Sequence, residues 1–311
     1  MKRLNFTFII IMACVLAYIG TQVSNEYYIG VATLLLIHAV NATALNILLG
    51  YTGIISIGQA AFFGLGAYVA AVLSTNYGVN PLLTMPIAAA AAFAVAYLVG
   101  SPILKLHGNY LAMATLGMGM ILYIFMNEMD FITGGPSGFV GIGDIIIGKF
   151  DLADEKSFFV FMSIFFMVFL FICELFDKSF LHNKLKFIKN SESACRSYGI
   201  TPAKTKVMVF ASMAALTAFN GAIFTFYTHF ISPVSFSFKY SVELLAMATI
   251  GGLGYITGGV VGAVLLGLVP ELFSAFEEYE MIIYGGLLAV VIMFLPGGIS
   301  GTLKRLVKRN A

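Results

Sequence analysis

Apolar stretches of about 20 residues, parted by short polar breaks, recur from one end of this chain to the other. Each can cross a hydrocarbon core of ~30 Å as a helix. Lipid cannot satisfy a free backbone N–H or C=O, so helices are the expected spanning elements. A transmembrane barrel would instead alternate apolar and polar residues in segments of about ten. The run from Phe158 to Phe171 does not alternate. The pattern therefore predicts an all-α, polytopic transmembrane bundle of about 10 crossings. They fall at 6–23, 28–49, 54–75, 82–103, 108–127, 157–176, 207–230, 241–256, 258–275 and 281–298. Glycine-rich members of the set are candidates for broken or re-entrant helices. Met1 to Gly20 has the basic start and apolar run of a signal peptide. The run continues to Val23, long enough to span, so a retained first helix is expected.

Composition agrees. Sixty per cent of the 311 residues are apolar, ten per cent are charged, and mean hydropathy is +0.95. A soluble domain of this length needs far more charge on its surface. The net charge is only +2, but its distribution orients the chain. With the N-terminus in the cytoplasm, 14 of the 17 basic residues fall inside, including Lys2, Arg3, Lys105, the cluster from Lys178 to Lys206, and the tail from Lys304 to Arg309. Such a bias sets topology. Both termini are thus expected in the cytoplasm. The three cysteines (Cys14, Cys173 and Cys195) form neither a CxxC pair nor a disulfide framework.

Two segments lie outside the predicted crossings: an acidic external stretch, 127–156, and a basic cytoplasmic stretch, 177–206. A permease needs a partner surface on each side of the membrane, whereas a simple anchor needs neither. The block Gly50 to Tyr68 is the most informative motif. Gly50, Gly53, Gly58, Gly64 and Gly66 thin the side chains where one crossing ends and the next begins. One reading is a broken helix at a wet cavity, with Ser56 and Gln59 offering hydrogen bonds. The other is tight helix packing with no solute contact. A second glycine-rich hairpin runs from Ile250 to Gly262. Polar residues inside apolar runs include His38, Asn41, Asn46, Asn220, His229, Glu243 and Glu271. In lipid, such groups usually face a bundle interior or a cavity. In the basic stretch, 188–200 predicts a short helix stopped near Gly199, with Pro202 beyond. It can dock into a groove on a soluble protein or pair with anionic lipid heads. No GxxxxGK[ST] loop occurs, and no nucleophile or metal constellation supports an intramembrane enzyme.

Several blocks, in order from about Leu45 to Gly298, resemble the permease subunits of branched-chain amino-acid ABC importers (the LivM/LivH type, closest to the LivM-like branch). They are Leu45 to Tyr68, Gly108 to Leu116, Thr133-Gly-Gly135 with Gly138, Ile231-Ser-Pro233, Ile250 to Gly254, and Pro270-Glu271. Ser193-Ala-Cys-Arg-Ser-Tyr-Gly199 resembles the family's ATPase-coupling segment. It departs from the EAAxxxG pattern at Ser193 and Cys195. The resemblance implies one permease domain over 1–311, in a bacterial or archaeal cytoplasmic (inner) membrane, that is not an enzyme and has no cofactor or metal of its own. ATP would be bound by two cytoplasmic ATPase subunits. A second, paralogous permease subunit and an extracytoplasmic substrate-binding protein complete the implied machine, with membrane lipid around it and no nucleic acid. Lys189, Glu192, Ala194, Arg196 and Gly199 are the expected ATPase-coupling residues. Ser56, Gln59 and Thr115 are the expected polar groups of the substrate pathway. Leucine, isoleucine or valine is the expected cargo. Urea or a short amide is the alternative, and a passive channel the remote one.

Overall fold

The computed structural model describes residues 2–147 and 150–269, with residues 285, 286, 289, 293 and 297–302 beyond them. Its regular structure among the described residues is helical apart from a two-residue ladder, β1 (Ile146–Ile147) on β2 (Phe150–Asp151), and a single bridge between Phe139 and Ile231. In chain order the helices are α1 (Lys2–Gln22), α2 (Glu26–Ile47), α3 (Gln59–Tyr77), α4 (Pro81–Ile103), α5 (Asn109–Glu128), α6 (Asp130–Thr133), α7 (Glu155–Lys178), α8 (Phe180–Asn190), α9 (Glu192–Ser197), α10 (Pro202–Thr228), α11 (Phe238–Gly251) and α12 (Ile256–Gly267). Among the described residues six helices are long and apolar enough to cross a membrane, namely α2 to α5, α7 and α10.

The apolar runs predict about 10 crossings; the described residues account for six, or seven with one bent pair. The runs at 241–256 and 258–275 are not two separate crossings within the described residues. Helices α11 and α12 have 14 and 12 residues. At 1.5 Å per residue they reach roughly 20 Å, well short of the ~30 Å core. They form a pair bent by 119°, a broken span or a re-entrant loop, which makes a seventh span at most. The third crossing starts at Gln59 rather than 54, because residues 53–58 are not helical. In α1 the apolar part, Thr7–Gln22, falls short of a full span. Most of the 281–298 run, the end of the 258–275 run and the block Pro270-Glu271 lie outside the described residues.

The chain divides into two compact units, and it passes between them at 50/51, 151/152, 183/184 and 242/243. In the first unit α2 is the central helix, packed by α7 and α12, while α1 lies on α7. Every residue from Ala39 to Ile47 is buried, which is why that stretch carries no charge. In the second unit α3, α4 and α10 pack closely together, and α5 lies on α3. Their sequences permit the approach. On α4, Thr84, Ala88, Ala92, Ala96 and Gly100 recur every fourth residue and are all buried, a ridge of small residues along one helical face. A methyl group at Gly66 would strike the backbone of Ala218, and one at Gly221 the Phe63 carbonyl, so α3 and α10 meet backbone to backbone.

Candidate functional site

In the first glycine block, α2 ends in a π-helical turn, Leu48–Thr52. Gly53 then takes a left-handed φ of 73°, and the chain runs without helix to Gly58 before α3 begins. Such a break exposes backbone groups that must find partners. Thr52 Oγ1 accepts from Ile54 N at 3.3 Å, and Thr115 of α5 supplies the next. Its hydroxyl oxygen accepts from Ile57 N at 3.2 Å and lies within donating range of the Ala112 carbonyl at 3.0 Å and the Ile55 carbonyl at 3.4 Å. Gly58 allows this closeness, since a methyl there would strike the Thr115 carbonyl. Thr115 thus has its hydrogen bonds committed to holding the break.

The other two expected pathway residues differ. Ser56 is 1% exposed, and its hydroxyl has no hydrogen-bond partner among the described residues. Gln59 opens α3 and donates through Nε2 to Thr217 Oγ1 at 2.7 Å on α10, while its Oε1 has no partner. The next amide, Ala60 N, donates to Ser241 Oγ at 3.3 Å. Beside this helix start lies a cleft lined by Ile57, Ala61, Leu116, Met120, Phe236 and Ser241, among others. It has about 10 Å³ of room, enough for a water and too little for an amino acid. The structure thus gathers Ser56, Gln59 and Thr115 at one buried helix start, with unused hydrogen-bonding atoms on two of them.

In the second glycine block Asn46 of α2 holds the turn between α11 and α12. Its Nδ2 donates to the Gly252 carbonyl at 3.0 Å and the Tyr255 carbonyl at 3.1 Å, and its Oδ1 accepts from Gly254 N at 2.8 Å. Methyl groups at Gly251, Gly258 and Gly262 would each strike backbone, so the sharp bend depends on their absence. The sequence marked Asn46 as a polar residue in an apolar run and nothing more. Its partners lie some 200 residues away and leave no local signal.

The basic stretch 177–206 is mostly helical: the end of α7, α8, α9 and the start of α10. Ser191 caps α9, its hydroxyl accepting from Ala194 N at 3.3 Å. The Glu192 carboxylate pairs with Lys206 at the foot of α10, with His107 at 3.6 Å and with Arg196 at 4.0 Å. Burial opposes its charge, but the hydrogen bond and charge of Lys206, helped by His107, outweigh that and hold the carboxyl below its usual range. Burial, then the charge of Lys186, moves Lys189 the other way, below the usual lysine value. Within 193–199 the buried side chain is Cys195, while Arg196 and Tyr198 are exposed. Gly199 ends the arm with φ of 73° and nothing within 4 Å of where a methyl would sit, so it is chosen for its backbone and not for space. The spacing could not show Lys206 and His107 as partners of Glu192, since neither belongs to the motif.

On the predicted external side, Thr133 Oγ1 donates to the Met126 and Met129 carbonyls, both at 2.8 Å, and Gly134, Gly135 and Gly138 all take positive φ. Phe139 pairs with Ile231 through two backbone hydrogen bonds, and His229 Nε2 meets Asp144 Oδ1 at 2.7 Å. These contacts hold the 133–144 turn against the end of α10.

Apolar helices of spanning length, broken by glycine and carrying buried polar groups, define a multi-pass membrane protein. Residues 27–292 match the family described as branched-chain amino acid transport system, permease component. The chain is similar to the high-affinity branched-chain amino acid transport system permease protein LivM of Escherichia coli K12. Identity is 32% over 294 residues, covering 87% of this chain and 69% of that protein. It is also similar to the probable branched-chain amino acid transport permease protein LivH of Methanocaldococcus jannaschii, at 26% identity over 86% of this chain and 91% of that one. BraD of Pseudomonas aeruginosa, a permease protein of a high-affinity branched-chain amino acid transport system, is 25% identical over 85% of this chain and 91% of its own. No solved structure matches. The chain belongs to this family of transport-system permease components.

Proposed function

We propose that this chain is the membrane-spanning permease subunit of an ATP-binding-cassette importer that carries leucine, isoleucine or valine inward across the cytoplasmic membrane. The observation that carries the reading is the family match over residues 27–292, joined by relatives that cover most of the chain and are named for branched-chain amino acid transport. In this reading two cytoplasmic ATPase subunits bind the ATP, and a second permease subunit, a paralogous chain, completes the passage. A binding protein delivers solute from outside. Both termini face the cytoplasm, as the basic residues favour.

Ser56 and Gln59 are the polar groups we assign to the pathway. Their support is the pair of unpartnered buried oxygens at the start of α3, which a passing solute can satisfy. Thr115 serves the pathway indirectly, by fixing the break. The arm of α8 and α9, with Lys189, Glu192, Ala194, Arg196 and Gly199, is assigned to ATPase docking. Its support is the short capped helix with exposed Arg196 and Tyr198, braced by Glu192 on Lys206.

The test is uptake by the assembled importer in proteoliposomes, with ATP inside and binding protein outside. Labelled leucine should accumulate and labelled urea should not. Urea accumulation without leucine would transfer the cargo to the amide alternative, and concentrative uptake with no ATPase present would end the whole reading. Gly199→Val should cut uptake at least about tenfold, because a β-branched residue resists positive φ. Gly199→Asn, which tolerates it, should keep most of the activity.

A further inference from the structure

Two lysines of α8 reach the first glycine break. The Lys186 ammonium lies 5.8 Å from the centre of the Tyr51 ring. A methyl on Gly53 would sit 3.4 Å from Lys189 Cγ, so the apolar stem of Lys189 runs along the Gly53 backbone. Tyr51 is 1% exposed and belongs to the π-helical turn, whereas Lys186 is exposed. Both contacts fall within six residues of a point where the chain passes between units, 50/51 for Tyr51 and Gly53, 183/184 for Lys186 and Lys189. Five residues past Tyr51 comes Ser56, with its unused hydroxyl. Single π turns inside helices gather at functional positions. A cation within about 6 Å of an aromatic ring centre is attracted to its face, and here a buried ring meets the ammonium of an exposed lysine.

We propose that Tyr51 is a positioning residue, through which Lys186, with Lys189 on Gly53, passes movement of the cytoplasmic arm to the glycine break and so to Ser56. The proposal rests on reading the arm as the ATPase-docking element, and it adds the route by which docking is felt inside the membrane. The partner it requires is a cation over a ring face. A residue that keeps the cation or the ring should therefore keep function, and one that removes either should lose it.

The experiment measures uptake per ATP hydrolysed by the reconstituted importer. Lys186→Gln should lower that ratio about threefold to fivefold, the size of effect an exposed cation over a ring supports. Lys186→Arg and Tyr51→Phe should retain it. Tyr51→Leu should match Lys186→Gln, and the double variant should be no worse than either alone, because both remove the same contact. The proposal is overturned if Lys186→Gln leaves the ratio unchanged. It is equally overturned if Lys186→Gln lowers the ratio and properly inserted Tyr51→Leu does not, since Lys186 would then act on lipid or on the ATPase directly. Additive losses in the double variant would also overturn it. Gly199→Val in the same assay separates the two layers. Normal uptake there refutes the docking role of the arm. A loss there beside unchanged Lys186 and Tyr51 variants refutes only the route.

Discussion

The glycine turn at 252–255 and the glycine break at 53–58 grow from similar sequence, but their polar groups are satisfied differently. At the first, one side chain, Asn46, makes three hydrogen bonds to turn backbone and uses both ends of its amide. At the second, Thr115 holds the backbone while Ser56 Oγ and Gln59 Oε1 stay without partners. A buried polar atom without a partner costs free energy, so the two at this break support the proposal that it meets water or solute. Glycine content alone does not separate these two breaks; the hydrogen bonds around the glycines do.

The largest expected effect breaks the fixed turn. Asn46→Leu removes the partners of the Gly252 and Tyr255 carbonyls and of Gly254 N. Leaving such groups unsatisfied costs about 1–3 kcal/mol each. The purified protein should lose about 3 kcal/mol or more, seen as a marked drop in thermal midpoint in detergent. Asn46→Asp should fare little better, because a carboxylate cannot donate to the two carbonyls. An Asn46→Leu protein that melts with the wild type would show that the turn needs no pin.

Smaller and opposite effects are expected at the other break. Thr115→Val loses the acceptor for Ile57 N and should cost about 1–2 kcal/mol of stability. Ser56→Ala removes an unpartnered hydroxyl, so stability should hold or rise slightly while leucine uptake falls a few-fold. If Ser56→Ala instead destabilises the protein and leaves uptake alone, the two breaks are alike and both are structural.

Much of this was legible from residue order. The apolar runs predicted α4, α5 and α7 to within about two residues at each end, because each is a continuous run closed by polar or turn residues. The same signal failed where hydrophobicity continues through a change of direction. Residues 54–58 are as apolar as a helix, yet the chain there is not helical, and Ile57 N is bonded by Thr115 from a helix nearly 60 residues on. At 251–256 only the glycines hint at the bend of 119°. For the site, Ser56 and Gln59 stood out as polar groups in an apolar block. The fastening role of Thr115, the pin Asn46 and the bracing of Glu192 by His107 and Lys206 all depend on distant contacts that no local pattern encodes.

The smallest effect concerns how the arm that touches the 53–58 break is braced. The Glu192 carboxyl lies below its usual range in the folded chain. Its contribution is therefore fully present above the unfolded carboxylate value, and it is lost as pH falls through the lowered folded value. With an unfolded glutamate near about 4.3, the brace should be indifferent to pH from about 8 down to 5 and should loosen only under stronger acid. Hydrogen exchange over residues 191–199 should show protection that stays flat across that range. Glu192→Gln should lower the protection modestly at neutral pH, since the amide carbonyl still accepts from Lys206 but carries no charge, while exchange across the 252–255 turn stays as in the wild type. Loss of arm protection already at pH 6 would show that the Glu192–Lys206 pair does not carry the brace. Loosening at 53–58 and 252–255 together would show that the arm does not act on the 53–58 break selectively.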